Sequence, residues 1–104
     1  MKTIKAIELK QKFENKESFV LLDVREEYEL LYAKISSSVN IAMSSIVEKY
    51  SELDLEVPIV VMCHTGVRSS QVCQYLEPLG FNVANLEGGI EGWSALVDPT
   101  IPRY

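Results

Sequence analysis

The stretch Cys63-His64-Thr65-Gly66-Val67-Arg68-Ser69 gathers a thiol, the single histidine of the chain, a glycine and a guanidinium within seven residues. A thiol acts as a nucleophile once ionised, and a helix N-terminus or a neighbouring cation lowers its pKa. Both conditions are met here. The apolar run Ile59-Val60-Val61-Met62 ends directly at Cys63, and helical spacing sets in by Ser69. Backbone N–H groups of His64, Thr65, Gly66 and Val67, together with the positive end of that helix, can therefore converge on an anion. Gly66 can take a positive φ where the loop curls, and Arg68 adds a permanent positive charge. Cys63 is the candidate nucleophile and residues 64–68 are its candidate anion cradle, with Ser69 in support.

The neighbouring candidates read differently. Cys73 sits beside Val72 and one turn before Leu76 on the apolar side of the same helix, which suits a core cysteine. His64 could serve as a base, but a solvent-facing loop histidine without an evident orienting partner is assigned binding at most. Arg68 could instead pair with Asp23 or Glu87 and simply shape the loop. The two cysteines, ten positions apart, show no zinc-ligand spacing. Charges interrupt Met1 to Lys16, so nothing marks a secreted chain, and reduced thiols in a cytoplasmic protein are expected. A net charge of −5 argues against nucleic-acid partners and anionic membranes. No apolar run approaches the ~20 residues of a membrane span. No metal or organic cofactor is implied.

These residues need a scaffold that brings them to one edge. The 104 residues suit one domain spanning 1–104. Thr3 to Ile7 reads as a short strand, followed by one or two amphipathic turns around Leu9, Lys10 and Phe13. Phe19-Val20-Leu21-Leu22 is continuously apolar, as a strand buried on both faces must be, and places Asp23 at its carboxyl end. Glu26 to Ala33 is rich in helix formers and is broken by Ser36-Ser37-Ser38. Val39-Asn40-Ile41 is a short strand, and Ser44 or Ser45 can cap a helix running to about Tyr50. After the strand that delivers Cys63, a helix from Ser69 closes at Gly80. Val83, Ala84 and Leu86 form another strand, Gly88-Gly89 a turn, and Ile90, Trp93, Leu96 and Val97 a last helix. Such alternation predicts an α/β domain with a mostly parallel central sheet and helices on both faces. Ligands of such sheets bind outside the carboxyl ends of the strands, where Cys63 falls.

At these residues the chain resembles the rhodanese superfamily, whose active loop is a cysteine, four residues and an arginine, then a serine and a helix. Leu21-Leu22-Asp23-Val24-Arg25-Glu26 is similar to the first core strand of that family, Val39-Asn40-Ile41 to its next, and Leu86-Glu87-Gly88-Gly89-Ile90 with Trp93 to its last strand and helix. The tail from Asp98 to Tyr104 is similar to endings found in some members, including domains fused to sulfur-carrier activating enzymes. The resemblance implies a three-layer rhodanese-like domain and a sulfurtransferase that carries sulfane sulfur as a Cys63 persulfide. The donor would be thiosulfate or another persulfide, and the acceptor cyanide, a thiol or a carrier protein. A sulfur-relay protein is a further partner it suggests, and a monomer is expected. Asp23 and Arg25 resemble family positions near the site and are expected to support it. A non-catalytic binding module on the same fold is the alternative. A phosphatase or arsenate reductase is disfavoured, because those relatives carry one more loop residue. One departure stands out: Ala33-Lys34-Ile35-Ser36-Ser37-Ser38 occupies a segment that often reads Ala-His-Ile-Pro-Gly-Ser.

Overall fold

The computed structural model describes all of residues 1–104. Five strands form one sheet: β1 (Lys2–Ile4), β2 (Val20–Asp23), β3 (Val39–Asn40), β4 (Ile59–Met62) and β5 (Val83–Leu86). They lie in the order β1-β5-β4-β2-β3. Every pairing is parallel, so the expected mostly parallel sheet is entirely so. The α-helices are α1 (Ala6–Glu14), α2 (Ile46–Lys49), α3 (Val67–Leu76) and α4 (Gly89–Leu96).

The period-2 alternation of the central strands builds two cores. Leu22, Ile59, Val61 and Val83 face one side, where Ile46 of α2 and Val72, Cys73 and Leu76 of α3 cover them. Leu21, Val60, Met62 and Leu86 face the other, under Leu9 of α1 and Ile90 and Trp93 of α4. Because β2 and β4 are covered on both faces, their sequences are continuously apolar. Cys63 continues the β4 alternation one residue past the strand and belongs to the first core.

Three local expectations change. The first strand ends at Ile4, and Ala6 and Ile7 already belong to α1, because the Glu8 carboxylate accepts the Lys5 backbone N–H at 2.9 Å and starts the helix there. The segment rich in helix formers becomes a 3-10 turn over Glu27–Leu31. It winds around the buried Arg25, whose guanidinium donates to the carbonyls of Glu29 (3.5 Å) and Ala33 (2.8 Å). Ser45 stands at the N-cap of α2, after a 3-10 turn over Met43–Ser45, but its side chain makes no capping bond, and the Ser44 hydroxyl donates to Glu26.

Candidate active site

The loop after β4 curls tightly into α3. Gly66 takes φ 112°, a left-handed conformation suited to glycine, and α3 begins at Val67, two residues earlier than the spacing indicates. The curl turns the Gly66 N–H onto Cys63 Sγ at 3.0 Å, and the Ser69 hydroxyl reaches the same sulfur at 3.3 Å. Burial pushes the Cys63 thiol up. The Ser69 hydroxyl and the backbone N–H groups of Ser69, Gly66 and Thr65 more than reverse that, and the thiol ends below its ordinary value. Cys63 is only 1% exposed, so its sulfur lies inside the loop and out of bulk water. The Val67 side chain projects outward from the first turn of α3.

A second layer fixes the loop from below. The Ile90 and Glu91 amides of α4 donate to the Cys63 and His64 carbonyls at 2.9 and 3.0 Å. Gly89, at φ 57°, brings α4 so close that a Cβ there would stand 2.5 Å from the Cys63 carbonyl oxygen. Asn85 of β5 donates from Nδ2 to the Gly66 carbonyl at 3.1 Å.

Arg68 does not pair with Asp23 or Glu87. Its guanidinium makes a two-pronged contact with Glu29, at 2.5 and 2.9 Å. Glu29 also accepts from the Tyr104 hydroxyl at 2.7 Å, and together with Arg68 this holds its carboxyl down at about 2. The cation of Arg68 is thus matched by a carboxylate, and its attraction for Cys63 ranks below that for Glu29. Asp23 and Arg25 form a pair of their own, both 0% exposed, with Nη2 to Oδ2 at 2.7 Å. Arg25 Nη1 donates to the Tyr104 hydroxyl at 3.0 Å, which links this pair to Glu29 and so to Arg68.

His64 has the orienting partners that the sequence conceals. Its ring stacks on Tyr104, with centroids 4.0 Å apart and planes at 8°, and its Nε2 lies 3.6 Å from Glu91. Glu91 is in turn bridged to Arg103 at 2.6 Å. Tyr104 reaches the site because the chain turns back after α4, with Ile101 N–H donating to the Asp98 carbonyl at 3.1 Å and the Ser94 hydroxyl to the Ile101 carbonyl. Cys73 is fully buried in the first core, and burial pushes its thiol up to about 12. Both cysteines are free.

The geometry agrees with what related sequences show: the profile of the rhodanese-like domain matches residues 5–96. The chain belongs to the rhodanese-like domain family. YtwF of Bacillus subtilis, provisionally named a sulfurtransferase, is 39% identical, over 95% of this chain and 96% of its own length. The adenylyltransferase and sulfurtransferase MOCS3 of Arabidopsis thaliana is 30% identical over 97% of this chain, which spans 25% of that longer protein. A crystal structure of a rhodanese-like domain protein from Staphylococcus aureus superposes with a TM-score of 0.87 at 30% identity, covering 100% of this chain and 99% of that one.

Within this rhodanese-like site, Glu29, Asn85 and Tyr104 are residues the sequence reading did not single out. Asn85 carried a usable signal, as a polar residue inside an apolar strand. Glu29 and Tyr104 carried none, because their partners lie 39 and 75 residues away in sequence. No helix of the protein is long and apolar enough to cross a membrane. No cluster of three or more His, Cys, Asp or Glu side chains is placed to hold a metal ion.

Proposed function

We propose that this chain is a sulfurtransferase that carries sulfane sulfur as a persulfide on Cys63. The observation that supports the reading best is the thiol itself. Its sulfur is enclosed at the head of α3, receives the Gly66 amide, lies 3.3 Å from the Ser69 hydroxyl, and ionises more readily than an ordinary cysteine. In the first half-reaction the Cys63 thiolate attacks the outer sulfur of thiosulfate. A Cys63 S–S bond forms, the S–S bond of thiosulfate breaks, and sulfite leaves with the electron pair. A low-molecular-weight persulfide would react in the same way and release its thiolate. The negative charge then rests on the outer sulfur, for which the amides of the 64–69 loop are the available donors. In the second half-reaction cyanide or a thiolate attacks that outer sulfur, and the Cys63 thiolate is the leaving group.

The near-complete enclosure of Cys63 favours small donors. The similarity to MOCS3, which joins a sulfurtransferase to an adenylyltransferase, supports a carrier protein within a sulfur relay as the acceptor. Asp23 and Arg25 act here as supports, since their buried pair orients the turn that carries Glu29. The deciding experiment is the intact mass of the reduced protein after thiosulfate treatment and removal of excess, beside Cys63→Ser and Cys73→Ser variants. A cyanide-labile gain of one sulfur atom, lost only in Cys63→Ser, is expected. No gain with either thiosulfate or a small persulfide would overturn the reading in favour of a binding module.

A further inference from the structure

Ser69 lies in the first turn of α3 and is fully buried, with one hydroxyl proton to donate. Two acceptors are within its reach: Cys63 Sγ at 3.3 Å and Asn85 Oδ1 at 2.5 Å. Asn85 is a polar residue inside the sheet, 7% exposed and in register with Thr3 and Val61. Alternation along β5 sends Val83 and Asn85 toward α3, while Leu86 faces the other core. The orientation of its amide is fixed. Nδ2 donates to the Gly66 carbonyl, which can only accept, so a rotated amide would set two oxygens face to face. Oδ1 therefore faces Ser69 as an acceptor. One proton cannot serve Sγ and Oδ1 at full strength together, and the amide oxygen is the stronger acceptor as long as the sulfur is uncharged.

We propose that Asn85 is a positioning residue for sulfur transfer, holding the Ser69 hydroxyl proton away from Cys63 until negative charge collects on Sγ. In the thiol and in the persulfide, Sγ bears no formal charge and the proton stays in the Ser69–Asn85 bond. When an acceptor removes the outer sulfur, the Sγ–S bond pair remains on Sγ. The hydroxyl then turns to the thiolate, since a hydrogen bond to an ionised acceptor is the stronger one. Ser69 keeps its proton throughout and no other group changes protonation. The bond thus favours the departing thiolate over the loaded persulfide, which is the selectivity a transfer step needs. The charged groups around the loop are Arg68 with Glu29, and His64 with Glu91 and Arg103. None of them is hydrogen-bonded to Sγ, to the Ser69 hydroxyl or to the Asn85 amide.

For turnover this inference rests on the carrier function proposed above, but its test needs no sulfur donor. The rate of iodoacetamide alkylation at Cys63, followed by intact mass across pH, gives the ionisation midpoint of the thiol. Asn85→Leu frees the Ser69 proton for Sγ, so the midpoint should fall by about half a pH unit to one, the range of a single hydrogen bond. Ser69→Ala should raise it, and the double variant should match Ser69→Ala. An Asn85 that only braces the loop through Gly66 gives the opposite result. Its removal slackens the amide donors, the midpoint rises, and the change persists without Ser69; that outcome overturns the inference. Asn85→Val is a smaller replacement, and near-UV circular dichroism identifies which variants keep the native fold. Failure of thiosulfate to load Cys63 would count against the carrier function and leave the alkylation result standing. Loading without a lowered midpoint in Asn85→Leu would sink the Asn85 proposal alone.

Discussion

Gly89→Ala places a methyl group where the active loop and α4 meet. The new Cβ would stand 2.5 Å from the Cys63 carbonyl oxygen, against at least 3.4 Å for ordinary contact, and the His64 carbonyl blocks it from beside. Both obstacles are backbone, so one of the segments must move by nearly an ångström. Each is pinned, because the Ile90 and Glu91 amides are already bonded to those same carbonyls. Overpacking of this kind costs about 1–3 kcal/mol. Holding alanine at φ 57° adds roughly 1–2 kcal/mol. The expected loss is about 2–5 kcal/mol, a large share of the 5–15 kcal/mol typical of a folded domain. Gly80→Ala separates the two contributions. Gly80 is also left-handed, at φ 99°, but its nearest neighbour is a Leu55 methyl at 3.8 Å, so only the conformational cost applies there. Urea unfolding followed by the fluorescence of Trp93, the single tryptophan, measures both variants. Equal losses for Gly89→Ala and Gly80→Ala would refute the steric argument. Where Gly89→Ala remains folded, alkylation of Cys63 should also change, since the displaced carbonyls belong to its loop.

Three further outcomes concern Glu29, Tyr104 and Cys73. The folded carboxyl of Glu29 sits at about 2 against an ordinary 4.5, so it contributes stability above the unfolded value that is lost as pH falls from about 4.5 toward 2. Glu29→Gln should lower stability at pH 7, by at most about 3 kcal/mol, and flatten the acid limb of urea midpoints against pH. Tyr104→Phe keeps the stack on His64 but leaves Arg25 Nη1 and Glu29 each short of a partner. It should cost about 1–2 kcal/mol by urea unfolding, and much less once Glu29 is already Gln. Cys73→Ser buries a hydroxyl in the apolar core and should cost about 1–3 kcal/mol by thermal unfolding, while iodoacetamide still modifies Cys63 alone.

What the sequence discloses and what it hides divide along contact distance. β2 and β4 are legible because burial on both faces leaves unbroken apolar runs, and the Cys63 loop is legible because its parts are contiguous. The turn at Glu27–Leu31 is misread as helix because its residues favour helices individually. Its shape comes from a guanidinium inserted among its carbonyls, and only Glu29 within it is buried. The boundary at Ala6 is set by one side chain, Glu8, whose capping role outweighs the strand-like run before it. His64 reads as unpartnered because Tyr104 and Glu91 reach it from another helix and from the folded-back tail. A residue's partners across 39 or 75 positions leave no local pattern, so Glu29 and Tyr104 become visible only in three dimensions.

Arg68 shows why contiguity in sequence is a poor guide to role. Five positions from the Cys63 thiol, a cation invites the reading that its charge lowers the thiol pKa. In the folded protein its guanidinium is paired two-pronged with Glu29, which offsets much of the charge it offers Cys63. What it does supply is geometry. The contact ties the first turn of α3 to the turn at Glu27–Leu31, and through Tyr104 to the buried Asp23–Arg25 pair. Burying that pair is costly, and removing one member of a buried pair typically costs about 3–5 kcal/mol. The arrangement therefore resists displacement, and it fixes the direction in which α3 leaves the loop. That direction decides whether the amides of Thr65, Gly66 and Ser69 point at the sulfur. The ionisation of Cys63 is thus favoured by the Ser69 hydroxyl and by loop amides whose alignment the ion pairs support, and a lysine at position 68, lacking the fork that fits Glu29, would keep the charge and lose the alignment.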